Sequence, residues 1–408
     1  MFENLLNQDA TKALISDIRK NVFPSSVLFS GNAATGKLTA ALEVARILSC
    51  SGPDKGNWLC KCPSCQRHRG LTCTNVFLMG PRDCSLEIAA SKNTFIKAYR
   101  DNAPHVYGTR YLFIRSIRKL TLRFSEILLQ GEDNVSKISA VLEDINEKLE
   151  LLDFPRELPV FEEVVKICDD LEKNCQKLEK DYLYKNIPIN QIRNMEEWAR
   201  IKSDDGKKTV IIENADKMQV SVRNALLKIL EEPPADCVFI LITTNRNAVM
   251  ETILSRVRNY NFKNRSLEGQ QEIIKLVFHN EYFNGEIYDY MQSFLPVPAA
   301  KIKEQAVKFY KEIISGSIPE TGVYIKECGD FSPKMEFQIF LETIAQYQRR
   351  NLNSPAGCEA AKECLEAITK CWENVTMYNQ SINAALEILV RDISKINVIY
   401  GKILCVGM

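Results

Sequence analysis

The sequence predicts an α/β fold, with a parallel sheet flanked by helices. A cysteine-rich module and a long helical insertion interrupt it, and all-α segments follow. Three observations carry this expectation. A short apolar run, a glycine loop and a helical pattern follow one another between Ser26 and Leu48. Two further apolar runs, Thr209 to Ile212 and Val238 to Thr243, have the unbroken hydrophobicity of strands buried on both faces. From Arg265 onward helical patterns dominate.

The bulk numbers exclude several classes. A chain of 408 residues allows two to four domains at roughly 100–200 residues each. Lys+Arg 53 against Asp+Glu 52 argues against coating nucleic acid by bulk charge, although a local basic patch is compatible with it. No apolar run approaches the roughly 18–20 residues of a membrane span. Met1 to Lys20 is polar and amphipathic, unlike a signal peptide. The fourteen cysteines are therefore expected as reduced thiols, some holding metal, in a bacterial-type cytoplasmic setting.

The first element is the run Ser26 to Ser30. Gly31-Asn-Ala-Ala-Thr-Gly36-Lys37 follows and fits G-x-x-x-x-G-K. Leu38 to Leu48 then reads as a helix with Ala41, Val44, Ala45 and Leu48 on one face. Glycines in that setting let backbone N–H groups turn toward phosphate oxygens, and the lysine adds charge near the terminal phosphates. The next position normally carries a hydroxyl for Mg²⁺, but here it is Leu38. Thr39 comes one residue late, which is about 100° around a helix. The second run ends in Glu213-Asn214, where an acidic pair would be expected. Glu213 holds a charge, whereas Asn214 cannot serve as a general base. The expectation is very slow ATP hydrolysis or none; compensation by Thr39 and a neighbouring acid is the alternative.

Between these runs, Val135, Ile138, Leu142, Ile145, Leu149 and Leu152 recur at spacings of three and four. Pro155 and Pro159 mark a break. Phe161, Val164, Cys168, Leu171, Cys175, Leu178 and Tyr182 repeat the rhythm. The pattern favours a protruding antiparallel hairpin over two amphipathic helices packed on the main domain. Arg110, Arg115, Arg118, Lys119 and Arg123 form a stretch without an acid. Such a row could neutralise backbone phosphates, but a solvated helix face is the favoured reading. Val220 to Glu231 is a helix stopped by Pro233 and Pro234.

Four segments occur in order: Ile211 to Met218 (IIENADKM), Asn224 to Pro234 (NALLKILEEPP), Leu241 to Asn245 (LITTN) and Ile253 to Arg256 (ILSR). The series closely resembles the AAA+ clamp-loader subunits of bacterial DNA polymerase III, and within them the delta-prime type more than gamma/tau. Phe2 to Gln8, Phe23 to Gly31 and Gln191 to Arg193 also fit, and Asn379 to Leu389 is similar to the last collar helix. The resemblance covers about 1–76 and 186–264 well and has no counterpart for the insertion.

It implies the following arrangement. Residues 1–76 and 186–264 are the two parts of the AAA+ core, split by the insertion at 77–185. A small helical lid spans 265–300 and a helical collar for oligomerisation spans 301–408. Gly31, Gly36, Lys37, Thr39, Glu213 and Thr244 mark a degenerate nucleotide site in which ATP and Mg²⁺ are doubtful. Thr243, Thr244 and Asn245 occupy the sensor-1 strand end. Arg256, in Ser255-Arg256-Val257, is the arginine finger given in trans to a neighbour's ATP. Such a group is worth roughly 10³–10⁵ in rate in related NTPases. Cys50, Cys60, Cys62 and Cys65 resemble the family's structural zinc module. The tight Cys60-x-Cys62 spacing leaves Cys73 or His68 open as a replacement for Cys60. The implied partners are the gamma/tau and delta subunits, the sliding clamp and, through the complex, primed DNA, with no membrane. An active gamma/tau-type ATPase and a P-loop relic serving only as scaffold are the alternatives.

Overall fold

The computed structural model describes residues 1–203, 206–378 and 380–404. The chain divides into two compact units, Met1–Tyr290 and a second beginning at Met291. Among the described residues of the first unit, five strands form one sheet: β1 (Ser26–Ser30), β2 (Val76–Met79), β3 (Lys208–Ile212), β4 (Cys237–Thr243) and β5 (Arg258–Asn261). Their order is β2-β3-β4-β1-β5, and every pairing is parallel. Helix α1 (Ala10–Arg19) precedes the sheet, and α2 (Lys37–Leu48) and α3 (Pro63–Gly70) lie between β1 and β2. Four helices of the insertion follow β2: α4 (Ser85–Arg100), α5 (Val106–Thr121), α6 (Val135–Leu152) and α7 (Phe161–Tyr182). Next come α8 (Ile189–Arg200), α9 (Val220–Glu231), α10 (Glu251–Leu254), α11 (Leu267–Phe278) and α12 (Ile287–Gln292).

The unbroken apolar runs form strands because both faces of the sheet are covered. Successive side chains point to opposite faces, and each face has its own core. Val27, Phe29, Val76, Leu78, Ile211, Val238, Ile240 and Ile242 pack with α1 and α2 residues such as Leu14, Ala41 and Ala45. The alternate residues Leu28, Phe77, Met79, Val210, Ile212, Phe239 and Leu241 pack with Ile192, Met195 and Trp198 of α8 and Leu226 and Ile229 of α9. The parallel order places the loops after β1, β2, β3 and β4 along one edge of the sheet, where ligands bind in such folds.

The insertion has a third core. Ile145, Leu149 and Leu152 of α6 and Val164, Cys168, Leu171, Cys175 and Leu178 of α7 are buried with Phe95 of α4 and Phe113 and Ile117 of α5. The expected helical pair is present, but it does not protrude. The heptad stripe of α7 faces α4 as well as α6, so the repeat records a four-helix core rather than an isolated seam.

The second unit is helical: α13 (Ala299–Ile314), α14 (Thr321–Glu327), α15 (Lys334–Tyr347), α16 (Pro355–Thr376) and α17 (Ile382–Leu404). Phe309, Ile313, Phe340, Ile344, Leu386 and Ile393 are buried. Asn379 lies outside the described residues, and the rest of that motif leads into α17. The boundary at Tyr290 falls within 265–300, so α11 belongs to the first unit.

Leu171→Ala, at a fully buried site in the insertion core, is expected to lower unfolding free energy by about 2–5 kcal/mol, measured by urea denaturation.

Candidate functional site

The glycine loop from Gly31 to Lys37 is closed on itself. Gly31 has φ 142° and a Cβ there would meet the Phe262 carbonyl oxygen at 2.1 Å, while Gly36 has φ 88°. Only glycine accepts both the crowding and the left-handed backbone. Lys37 starts α2, and its Nζ donates to the carbonyls of Gly31 (2.6 Å) and Asn32 (2.5 Å) and to Thr35 Oγ1 (3.2 Å). Gln8 Nε2 donates to the Thr35 carbonyl at 3.1 Å and Arg265 Nη1 to that of Ala34 at 2.7 Å, so the loop is also held from outside. Burial pushes the Lys37 ammonium down to about 8; Glu213 opposes that effect and Arg82 reinforces it. Leu38 is buried in the sheet core, where a metal-binding hydroxyl would stand, and Thr39 is half-buried one position on.

Glu213 sits just past β3 and is occupied by two arginines. Arg82 Nη1 donates to Oε1 at 2.7 Å, and Arg123 Nη2 donates to Oε2. Arg123 lies in a 3-10 turn (Leu122–Phe124) after α5, is fully buried, and also donates to the Gly80 carbonyl at 2.5 Å. Burial raises the Glu213 carboxyl, but the two guanidiniums outweigh it and hold the group below its ordinary value. Asn214 adopts the left-handed conformation (φ 56°), and its Nδ2 donates to the Pro81 carbonyl at 2.6 Å. It therefore fixes the loop that carries Arg82. Glu87, on α4, joins the hub by accepting from Arg82 (3.0 Å) and Lys119. Burial acts against its ionisation, yet Lys119 and Arg82 bring it down to about 2.

The basic stretch on α5 and the turn after it is neither a solvated face nor a phosphate-binding row. Arg110 is buried and donates to the carbonyls of Leu152 (2.6 Å), Asp153 (2.8 Å) and Arg156 (2.8 Å). Arg115 reaches the Arg69 carbonyl, and Arg118 reaches the Gly70 carbonyl (2.9 Å) and Asp153. Lys119 and Arg123 engage Glu87 and Glu213. Their partners are helix-end carbonyls and acids distant in sequence, which a local charge pattern does not reveal. Sequence reasoning missed the pairing of Glu213 with Arg82 and Arg123; the acid-free run of cations was the available signal for Arg123, and Arg82 had none.

Arg256 and Thr244 lie at different edges of the sheet. Val27 pairs with Arg258, so Arg256 is at the N-terminal edge, whereas Gly31 follows the C-terminal end of β1. At about 3.3 Å per residue the separation along the strands is roughly 20 Å. Arg256 donates to the Thr252 carbonyl at 2.9 Å and pairs with exposed Glu231 at 3.2 Å, a contact of the kind worth about 0–1 kcal/mol. Thr244 is exposed at the end of β4, and Thr243 Oγ1 donates to Asp216 at 2.6 Å.

The cysteine module forms a second site beside α2. The thiol sulfurs of Cys50, Cys60, Cys62 and Cys65 all lie within 4.8 Å of one another, an arrangement that can hold a metal ion. Cys60 is thus brought in despite its tight spacing, with its Sγ 3.7 Å from that of Cys50. Cys73 is instead buried in the sheet core, and His68 is buried on α3 outside the four. Burial raises the Cys62 thiol, but the backbone N–H groups of Cys65 and Ser51 bring it down to about 6.

Two stability measurements test these assignments. Glu213→Gln leaves buried Arg123 without a carboxylate and Arg82 with Glu87 alone, and is expected to cost about 3–5 kcal/mol in urea unfolding. For Lys37, the folded pKa lies below the unfolded value of 10.5. Wild-type stability should therefore rise between pH 8 and 10.5, by at most ~3 kcal/mol from this group. Lys37→Met is expected to remove that part of the rise.

Comparison with known proteins agrees with the motif series. The chain matches the family described as DNA polymerase III, delta subunit, over residues 6–149 and 158–266. That range is wider than the motif-bearing segments and includes most of the helical insertion. DNA polymerase III subunit tau of Bacillus subtilis (strain 168) is 37% identical over 79 residues, 19% of this chain and 14% of that protein. DNA polymerase III subunit delta' of the same organism is 38% identical over 68 residues, 17% of this chain and 21% of its own length. The chain thus spans about a quarter or less of these relatives. A solved gamma subunit-related protein of DNA polymerase III from Thermotoga maritima aligns over 57% of this chain and 90% of its own, with 15% identity and a TM-score of 0.28. A score that low leaves the fold resting on the strand order of this chain. The family match covers well over half of the sequence, and the chain belongs to the DNA polymerase III, delta subunit, family.

Proposed function

We propose that the chain is a delta-prime-like subunit of the DNA polymerase III clamp loader. In this reading it does not hydrolyse ATP and supplies Arg256 in trans to a neighbouring ATPase subunit while the sliding clamp is placed on primed DNA. The observation that carries the reading is the capture of Glu213 by Arg82 and Arg123. A hydrolytic P-loop site needs its acidic strand end free for the Mg²⁺ shell and for activating water. Here that carboxylate is saturated by protein cations, with Leu38 and Asn214 flanking the defect. Arg256 on the far edge cannot serve its own loop, which suits a group acting on another subunit. The gamma/tau and delta subunits are the proposed neighbours, in the bacterial cytoplasm.

The four thiols support a structural zinc. Zn–S bonds of about 2.3 Å give tetrahedral S···S edges of about 3.8 Å, and Cys50 and Cys60 already stand at 3.7 Å. Four thiolates fill the coordination sphere, so no water is activated and the site is remote from hydrolysis.

The purified chain is expected to show no steady-state ATPase. Robust turnover abolished by Lys37→Ala would instead establish the active gamma/tau-type alternative. In a reconstituted loader, Arg256→Ala is expected to lower ATPase by at least ~10³-fold at the affected site while assembly is retained. Unchanged ATPase would leave only a scaffold role.

A further inference from the structure

We infer that Arg46 is the positioning residue of the cysteine site, and that its N–H···S bond to Cys65 ties a bound metal to α2, the helix that carries the phosphate loop. The inference rests on the proposed zinc reading. Arg46 lies in the last turn of α2, and its side chain is only 2% exposed. A guanidinium has five N–H donors, and here each has a partner. Nε and Nη2 donate to Glu43 at 2.8 and 2.6 Å. The second Nη2 hydrogen goes to the Gly56 carbonyl at 2.8 Å. Nη1 donates to the Asn57 carbonyl at 3.0 Å and to Cys65 Sγ at 3.1 Å. One buried side chain thus holds its own helix through Glu43, the loop between Cys50 and Cys60, and a thiol of the cluster.

Charge gives this geometry its purpose. A divalent ion in four thiolates leaves two negative charges in excess. Part of the cluster is buried, and an uncompensated buried charge is costly. Arg46 brings a fixed positive charge to one sulfur, and Glu43 fixes its orientation without touching the sulfurs. The surrounding loop is built closely around the cluster. A Cβ on Gly52 would meet Cys60 Sγ at 2.5 Å. Arg69 donates to the Cys60 carbonyl at 2.8 Å, and Trp58 lies under Arg46 with its ring 5.4 Å from the guanidinium carbon. Partners of this kind orient metal ligands, and their removal typically lowers metal affinity by about 10–100-fold.

The test uses the full chain as wild type, Arg46→Met, Arg46→Lys and the double variant Glu43→Gln/Arg46→Met, which removes both buried charges together. Zinc affinity is read by chelator competition, and the thiolate-to-metal charge-transfer band is read after Co²⁺ substitution. Arg46→Met and the double variant should bind zinc about 10–100-fold more weakly with a displaced band, and Arg46→Lys should recover part of both. Stripping zinc from the wild type should speed amide exchange in α2. A folded double variant with wild-type zinc affinity and an unmoved band would overturn the role of Arg46. Unchanged exchange in α2 on stripping would overturn the coupling. A wild-type chain that holds no zinc would overturn the metal reading and this inference with it.

Discussion

One buried carboxylate, Glu213, holds three parts of the first unit together. It follows β3, takes Arg82 from the loop after β2, and takes Arg123 from the turn after α5. Each of these charges is costly alone in a poorly solvated interior, and removing Glu213 leaves Arg123 without a carboxylate and Arg82 with Glu87 only. The sheet, the 80–82 loop and the insertion are therefore coupled through a common charge balance. Arg123 strengthens the link by donating to the Gly80 carbonyl as well. In the proposed reading, Glu213 also takes the place where a hydrolytic P-loop protein keeps its metal-binding acid. The packing of the insertion and the proposed loss of hydrolysis are thus two consequences of the same ion pairs.

The rest of α5 extends this logic. Arg115 and Arg118 meet carbonyls at the end of α3, and Arg110 meets those at the end of α6. The last carbonyls of a helix lack intrahelical partners and carry partial negative charge. Cations placed there satisfy hydrogen-bond acceptors and helix dipoles together. Helix α5 and the turn after it thereby fasten the insertion to the cysteine module, to the end of α6 and to the end of the sheet. The Glu43–Arg46 pair does the same on a smaller scale between α2 and the cysteine loop.

Much of this was legible in the sequence. The glycine loop, strands β1, β3 and β4 and the heptad rhythms of α6 and α7 are patterns of near neighbours, and near neighbours in sequence stay near in a strand or a helix; β2, which the expected insertion bound at residue 77 cuts, and β5 were not read. The four thiols were also legible, though the short Cys60–Cys62 spacing obscured the part of Cys60 until the loop brought its sulfur beside Cys50. The arginines of α5 were misread because a row of cations without acids looks solvated when its partners are out of view. Glu213 is ninety residues from Arg123, and the carbonyls that Arg110 and Arg118 use carry no side-chain signal. The hairpin was read as protruding for a similar reason: periodicity identifies an apolar stripe but not how many neighbours cover it.

By itself the sequence determined the local chemistry: which residues turn at the glycine loop, that Leu38 cannot ligate a metal and Asn214 cannot act as a general base, and which runs must be buried. Those properties follow from side-chain type and from the fixed periods of strand and helix. Only the tertiary structure decided where the charges go. It closed Glu213 with two arginines, gave every N–H of Arg46 a partner, and set Arg256 on the edge opposite Gly31. The physical reason is that the stability of a buried ion depends on what surrounds it in space, and long-range packing brings those surroundings together.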